Sequence, residues 1–438
     1  MLKDVAAAED APAKRNFALL TLYQVLMRTG WIFKTESIIM PAVLDTLSGG
    51  AGWMRGALPL LNRVGQSLPP VLAAGAIRRL PQKKWMCFFS VACMSATFVG
   101  LAAIWLIPGW HSSPSAPLVF LACYGLFFVF LGVNQLAQLT LQGKLLAPQR
   151  RGRLLSVSNS IGAVTAVACA VLLLPMWLRE TDGDFELLFL FTAALFACGA
   201  FAITFLREPM DGVRDDREHR TSAFGLAWRT LQRNVPFRRA ALIGFLYGTS
   251  TILFPHYQRI AHEQYELNLQ RMIWWVAVQN IGTGLFSIPM GMLHERYGTR
   301  IVLRIVMFGI GLIPPTALVL SHAGSAAEPY FNLVFLLVGL SPVALRALSD
   351  YTLEVSPQED HPQYLGTMNL CISAPILASI PAGWLMDEYF GRFDEVFWAV
   401  TVLLWIGWLY TFSLSEPRKR AHEPVRPRLP SLDSESAS

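Results

Sequence analysis

Long apolar stretches alternate with short polar segments along the whole chain. A helix needs about 20 mainly apolar residues to cross the roughly 30 Å hydrocarbon core of a bilayer. Twelve stretches reach or approach that length, at about 17–46, 52–77, 84–107, 117–143, 154–178, 185–206, 239–260, 270–293, 300–320, 330–352, 364–386 and 395–415. Their residues do not alternate between apolar and polar, as strands of a membrane barrel would. The pattern predicts an all-α polytopic membrane protein with twelve transmembrane helices.

The composition excludes an ordinary soluble enzyme. Of 438 residues, 53% are hydrophobic and 15% are charged, whereas soluble chains carry about 25% charged residues. The six cysteines lie in apolar stretches without CxxC spacing, which supports neither a disulfide framework nor a metal site. His262-Glu263 lacks the second histidine of a zinc protease motif, and no Walker lysine or nucleophile elbow is present. We therefore expect neither enzyme activity nor a cofactor.

The basic residues predict the orientation. If the N-terminus is cytoplasmic, most of the 36 Lys and Arg residues lie in cytoplasmic segments, as the positive-inside rule requires. The predicted outer side keeps Arg55, Arg179, Arg259, Arg271 and Arg392. We expect an uncleaved multi-pass protein of the inner or plasma membrane, with both termini cytoplasmic. Topology also explains the net charge of +6, so no nucleic-acid partner is predicted.

The longest internal polar segment divides the chain. We predict a cytoplasmic tail over 1–16, a six-helix half over 17–206, a linker over 207–238, a second six-helix half over 239–415, and a disordered tail over 416–438. Within the linker, Phe224, Trp228 and Leu231 follow a helical period, which predicts a short helix lying on the membrane surface.

The two halves repeat one another. Phe205-Leu206-Arg207-Glu208-Pro209 after span six matches 413–417 after span twelve, at an offset of 208 residues. Residues 140–142 match 352–354, and Gly75 with Lys84 matches Gly291 with Arg300. Three matches in one order at similar offsets predict two pseudo-symmetric halves. Many secondary carriers are built from such repeats, which meet at a central site.

The loops after spans two and eight carry a further pattern. Residues 291–300 read GMLHERYGTR, and 75–84 read GAIRRLPQKK. The first string fits the signature Gly-x-x-x-Asp/Glu-Arg-x-Gly-Arg-Lys/Arg of the major facilitator superfamily, and the second has Arg79 where the acid should stand. The chain resembles that superfamily over essentially its whole length. The resemblance implies the twelve-helix carrier fold and a proton as the usual coupling ion, with the charge lock of the first half weakened or moved to the second.

Charged residues near the predicted cytoplasmic ends are candidates for gating. An acid beside arginines can hold helix ends together in one state and release them in another. We therefore assign gating to Glu295, Arg296 and Arg300, with plain interfacial anchoring as the alternative. Arg346 and Asp350 are four residues apart and can pair on one helix; a gate or a structural pair is favoured over a substrate site.

Ionisable groups inside spans are costly and tend to mark function. Together with nearby amides they define a candidate substrate site formed by Arg28, Glu36, Arg63, Asn134, Gln138, Asn159, Gln279 and Asn280. The excess of positive charge favours an anionic solute, because arginine binds carboxylate or phosphate with a bidentate fork. Glu36 is the candidate proton-coupling acid, although it could instead pair with Arg28 or Arg63. Lys34 is expected to extend outward to the interface, and His256 to be a structural hydrogen-bonding residue.

Three functions remain open. The first is a secondary carrier that moves a small organic solute by alternating access. The second is an exporter of drugs or lipophilic cations, which would require an acidic, aromatic cavity. The third is a membrane sensor with the carrier fold and no flux. We expect a monomer in the lipid bilayer whose partners are a small-molecule substrate and, as coupling ion, a proton.

Overall fold

The computed structural model describes residues 2–35, 37–146, 148–177, 185–210, 223–265, 269–357, 360–389 and 393–415. Within these ranges the chain is almost entirely helical and contains no strand, which confirms the all-α fold. The sequence-based assignments for Glu36, Arg179 and Arg392 and for 416–438 lie outside the described residues, as does the side chain of Arg271.

Six spans form the first half. Its helices are α1 (Leu2–Ile32), α2 (Ile39–Ser48), α3 (Gly52–Arg79), α4 (Lys84–Leu106), α5 (Ala116–Leu145), α6 (Pro148–Trp177) and α7 (Phe185–Thr204). Span one consists of α1 and α2, and spans two to six are α3 to α7. Helix α1 packs against α6 and α7, α4 against α5 and α7, and α3 against α5.

The linker and the second half follow. Their helices are α8 (Ala223–Arg233), α9 (Val235–Gly248), α10 (Phe254–Tyr265), α11 (Leu269–Tyr297), α12 (Thr299–Gly311), α13 (Ile313–His322), α14 (Asn332–Val338), α15 (Ser341–Val355), α16 (His361–Ser373), α17 (Ser379–Trp384) and α18 (Asp394–Tyr410). The linker helix predicted from the period of Trp228 and Leu231 is α8. Spans seven, nine, ten and eleven are each built from two helices.

Three spans differ from the rest in polarity and continuity. Nine helical stretches within the described residues are long and apolar enough to cross a membrane; they correspond to predicted spans three to six and eight to twelve. Span one is interrupted between α1 and α2, and span seven by a 3₁₀ turn over Thr249–Leu253. Span two, α3, contains Arg55, Arg63 and three prolines. The interrupted or charged spans are those that carry the site described below.

The two halves meet along three sets of helices. Helix α3 packs against α16 and α17, α6 against α11, and α2 against α10. The α3 contact involves spans two and eleven, and the α6 contact involves spans five and eight. These are equivalent pairs under a six-plus-six repeat, so the halves face each other about an approximate two-fold axis.

Within each half, equivalent side chains join the helix ends at the side that carries the chain termini, here called the termini side. Lys84 Nζ donates to the carbonyl of Leu206 at 3.0 Å, and Arg300 donates to the carbonyl of Leu414 at 3.3 Å. The sequence repeat predicts that Lys84 and Arg300 occupy equivalent positions in the two halves. Arg15 and Arg239, near the starts of spans one and seven, donate to the carbonyls of Phe205 and Ser413. The repeat therefore extends to individual hydrogen bonds.

Glu208 binds the first signature loop. Its buried carboxylate accepts the backbone N–H groups of Lys83 and Lys84 at 2.9 and 2.8 Å and pairs with Lys144 at 2.9 Å. A carboxylate at a helix N-terminus is favoured by unpaired N–H groups and by the helix dipole. Glu208, at the end of span six, thus places an acid at the N-terminus of α4. This is the half in which the signature loop has Arg79 at the position of its usual acid.

We expect Glu208→Gln to lower the free energy of unfolding by about 2 kcal/mol, because the amide loses the charge-assisted hydrogen bonds to α4 and Lys144. The measurement is thermal unfolding of the purified protein in detergent. Lys144→Met should lower stability less, and the double variant should lose less than the two single losses combined. Full additivity would show that Glu208 and Lys144 do not act as a pair.

Candidate transport site and gate

A small cavity lies between the two halves. Its lining residues are Leu58, Pro59, Asn62 and Arg63 of α3, Tyr124 of α5, and Thr251, Phe254 and Pro255 of span seven. The α3 residues lie one turn apart on one helix face, so they line the same wall. The interruption of span seven provides the opposite wall.

Arg63 is the charged residue in this lining. The neighbouring polar groups are amides and hydroxyls: Gln66 donates to Asn62, and Gln135 of α5 donates to Gln66 at 3.4 Å. One turn further toward the termini side, the Ser67 hydroxyl lies 3.3 Å from that of Ser373 in the other half. The cavity therefore has one fixed positive group and a polar wall that continues toward the termini side.

Arg55 closes the cavity at the end opposite the termini. Its side chain is 0% exposed and donates to Asp45 at 2.9 Å, to the Gly50 carbonyl at 2.7 Å and to Asp387 at 2.5 Å. Asp45 belongs to α2, and Asp387 lies in a π-helical turn over Leu385–Tyr389 in the other half. Gln258 of α10 also donates to Asp45, at 2.9 Å. This network, the Arg55 lock, joins spans one, two, seven and eleven across the two halves.

Glycines bring the helices close enough for the lock. A Cβ on Gly56 would lie 2.1 Å from the Ser379 carbonyl oxygen, and a Cβ on Gly383 would lie 2.1 Å from that of Gly52. The Ser379 hydroxyl donates to the Gly56 carbonyl at 2.6 Å. No larger residue permits this backbone approach. The halves are therefore in direct backbone contact at the locked end.

The predicted substrate residues that the structure describes do not converge on one point. Arg28 of α1 donates to Asn159 of α6 at 2.9 Å, and both side chains are exposed. Asn134 is buried inside the first half, where it accepts from Tyr23 and donates to Ser90. In this conformation Asn134 therefore ties α1, α4 and α5 together.

The remaining amides lie nearer the interface. Gln279 of α11 accepts from the Ser37 hydroxyl at 2.6 Å, a bond between the halves at the break in span one. Asn280 is exposed and donates to the Val276 carbonyl, while Gln138 is half-buried. Arg63 is therefore the member of the predicted substrate set that lines the cavity.

The predicted gating residues lie on the termini side of the second half. Arg346 pairs with Asp350 at 3.6 Å on one helix, as predicted, and its side chain is 80% exposed. Glu295 and Arg296 are also exposed, and Arg300 binds the Leu414 carbonyl. Sequence reasoning missed His294, which lies 3.9 Å from Asp350 and 3.4 Å from Glu354.

The expectation for Lys34 was wrong. Its side chain is 1% exposed, and its ammonium lies 3.4 Å from the ring centroid of Trp31, 4.4 Å from that of Phe128 and 5.2 Å from that of Phe127. Span one breaks after α1, which turns Lys34 into the first half instead of out to the interface. The aromatic faces stabilise the charge by cation–π attraction, which is stronger where water is excluded.

The Arg55 lock was also missed, although a signal was present. Asp45 and Arg55 lie near the adjoining ends of predicted spans one and two, and Asp387 directly follows predicted span eleven. By its position alone, Arg55 is an ordinary arginine of the predicted outer side. Opposite charges at the same end of three spans would have suggested a cluster, but their pairing across the halves depends on which helices meet.

The comparisons with known proteins agree with this architecture. A family model described as Major Facilitator Superfamily matches residues 260–435. A search of curated proteins gives no match. Solved structures with the same fold include a mutant of the nucleoside transporter NupG, with a TM-score of 0.70, 13% identity, and coverage of 91% of this chain and 100% of that one.

Two further structures extend the comparison. A bacterial homolog of the human lysosomal transporter Spinster, in an inward-facing and unoccupied conformation, has a TM-score of 0.64 at 13% identity, over 95% of this chain and 99% of that one. The E. coli fucose:proton symporter FucP has a TM-score of 0.57 at 12% identity, over 91% of this chain and 98% of that one. At such low identity the likeness concerns the fold.

The apolar helices and the shared fold indicate a multi-pass membrane protein with the fold of a transporter, which is not an enzyme fold. The family model supports the resemblance to the major facilitator superfamily over residues 260–435, and the solved structures show that the chain shares the fold of these transporters.

Proposed function

We propose that this protein is a secondary active transporter that moves a small organic anion by alternating access. The observation that supports this proposal most directly is Arg63, the charged group in the lining of a cavity between two repeated halves. Alternating access in such folds comes from one half rocking against the other around a central site. The Arg55 lock then acts as the gate on one side of that site.

The charge of the cavity supports an anionic substrate. A carboxylate or phosphate can accept two parallel hydrogen bonds from the Arg63 guanidinium, and its charge offsets the cost of placing arginine inside the membrane. Asn62 and Gln66 can bind the remaining polar atoms of a solute. The described lining contains no carboxylate, which disfavours the lipophilic-cation exporter.

The orientation in this proposal follows the positive-inside rule. Both termini are then cytoplasmic, in the inner or plasma membrane, and the Arg55 lock closes the outer side. In this conformation the lock is formed, and the exposed Arg346 lies at the cytoplasmic side. Proton coupling through Glu36 and gating by Glu295, Arg296, Arg300, Arg346 and Asp350 belong to the proposal, as does action as a monomer. A fucose:proton symporter with the same fold supports the proton as coupling ion.

Flux measurements in proteoliposomes test the proposal. The panel includes small organic anions, neutral sugars, nucleosides and lipophilic cations, because solved structures of this fold include nucleoside and fucose carriers. We expect saturable uptake of an organic anion. Uptake of only neutral solutes would overturn the anion assignment, uptake of only lipophilic cations would favour the exporter, and no flux of any solute would favour the sensor.

Arg63→Ala should reduce anion uptake at low substrate concentration by roughly thirtyfold or more. A hydrogen bond between charged partners contributes about 2–3 kcal/mol, which corresponds to that factor. Arg63→Lys keeps the charge and loses the fork, so it should fall between wild type and Arg63→Ala. Arg229→Ala, at an exposed position on α8, is the matched control and should transport normally. Unchanged anion uptake in Arg63→Ala would remove Arg63 from the site.

A further inference from the structure

His256 is a buried ionisable group without a hydrogen-bond partner among the described residues. Its side chain is 0% exposed, and neither ring nitrogen has such a partner. The nearest ring is that of Phe393, with centroids 6.4 Å apart. A structural histidine would form a hydrogen bond with a carbonyl or a hydroxyl. The described residues offer His256 no such bond, so they do not show the structural role expected from the sequence.

The position of His256 links the cavity to the lock. Phe254 and Pro255, directly before it, line the cavity, and Gln258, two residues later, donates to Asp45 of the lock. The 3₁₀ turn over Thr249–Leu253 interrupts span seven just before this segment. A movement of α10 that releases Gln258 from Asp45 must therefore also move His256.

Charged groups surround His256 without pairing with it. The charged or acid-titrating groups on its own helix are Arg259, His262 and Glu263. Those on the elements around it are Asp45 on α2, Arg55 and Arg63 on α3, His322 on α13, Glu328 before α14, and Asp394 and Glu395 at the start of α18. Arg259 pairs with Glu263, and His262 and Glu395 have other interactions. Asp45 binds Arg55 and Gln258, Asp394 lies 3.3 Å from His322, and Glu328 has another interaction. The positive charge of Arg55, on the neighbouring helix α3, opposes a second positive charge on the imidazole while the lock is closed.

We propose that His256 is a proton-binding site of the outer gate, filled while the gate is open and empty while it is closed. A charge buried without a partner is too costly to keep, so the closed state holds the neutral ring. Parting the halves admits water, and an exposed histidine takes up a proton near pH 6.5. Below that pH, closure requires release of the proton to the outer solution. Outer acid therefore favours the open gate and slows closure.

The size of the effect follows from linkage. The open state binds one more proton than the closed state, so the ratio of open to closed molecules rises about tenfold per pH unit below about pH 6. The inference rests on alternating access but not on the identity of the substrate. It also differs from proton coupling at Glu36, because the proton on His256 returns to the side from which it came.

The test measures the gate directly. Spin labels on Thr46→Cys and Gln264→Cys, exposed positions on the two halves, report the distance between the halves at the locked end in reconstituted protein whose six native cysteines are replaced. Between pH 6 and pH 5 the ratio of long to short distances should rise about tenfold. In His256→Asn it should change less than twofold. His262→Asn, an exposed histidine on the same helix, should behave like wild type.

Two results would overturn the proposal: a pH response that persists in His256→Asn, or its absence in wild type. If His256→Asn does not fold, His256→Gln and a labelling experiment replace it. Diethyl pyrocarbonate modifies neutral, water-accessible imidazoles, and mass spectrometry locates the product. His256 should resist modification in wild type at pH 7 and react in Gly383→Ala, where the halves are held apart. Equal reactivity in both proteins would also contradict the proposal.

Discussion

Replacing Arg55 with alanine is expected to open the end of the protein opposite the termini. The substitution leaves Asp45 and Asp387 facing each other without the guanidinium that now lies between them. Removal of one partner from a buried ion pair costs about 3–5 kcal/mol. That cost applies to the closed state, because water solvates both acids once the halves part. The ratio of open to closed molecules should therefore rise by roughly two to four orders of magnitude.

Spin-label distances between Thr46→Cys and Gln264→Cys measure this ratio. Arg55→Lys should give an intermediate value, since one ammonium cannot bind two carboxylates and the Gly50 carbonyl with the geometry of the planar fork. Asp387→Asn should shift the ratio in the same direction and by less, because Asp45 keeps its pair. Arg229→Ala, an exposed arginine on α8, provides the control. A closed distance distribution in Arg55→Ala would mean that backbone packing alone holds the gate.

Alanine at Gly56 or Gly383 should open the same end by a different route. Each new Cβ would lie 2.1 Å from a carbonyl oxygen of the opposite half, so α3 and α17 must separate. Overpacking of this kind costs about 1–3 kcal/mol or more, borne by the closed state alone. We expect the open fraction to rise by at least tenfold and transport to slow, because closure limits each cycle.

Gly284→Ala is the matched control. This glycine lies in helix α11, and a Cβ there would meet nothing within 4 Å. The substitution should leave both the distance distribution and the transport rate close to wild type, and the gain in helix propensity should raise stability slightly. If Gly56→Ala closes as completely as Gly284→Ala, the backbone contact between α3 and α17 is not what limits the approach of the halves.

Hydropathy and repetition were enough to predict the fold. A twelve-helix carrier fold is predicted by the twelve apolar stretches, the matched ends of spans six and twelve and the loop over 291–300. Each of these signals can be read directly from the sequence. The helix breaks were harder to predict. In span one, α1 ends at Ile32 in the middle of an apolar stretch. Gly30 lies inside α1, and nothing in the local sequence predicts that Lys34 turns inward. Its burial depends on Trp31 and on two phenylalanines almost a hundred residues away.

The site was predicted only in part for the same reason. Arg63 could be recognised because a charge in the middle of a span is rare. Arg55 lies near the end of a span, where arginine is ordinary, and its importance depends on Asp387, more than three hundred residues further along the chain. Asn134 also looked like a cavity residue, but here it binds Tyr23 and Ser90 inside one half. Periodicity gives the face of a helix, and only packing shows what that face meets.

The placement of the lock at one extreme of the molecule determines how large a motion transport requires. A helix of 20 residues is about 30 Å long, so tilting one half by roughly 10° displaces its far end by about 5 Å. Hydrogen bonds are lost well before that distance, since they require separations of about 3 Å. The two contacts that cross between the halves, Arg55 with Asp387 and Gln258 with Asp45, would therefore break together during the first few degrees of tilt. The hydrogen bonds of Arg55 to Asp45 and Gly50, and those of Lys84 and Arg300, would move with their own halves. Release of the gate should consequently be abrupt, with few molecules held at intermediate openings.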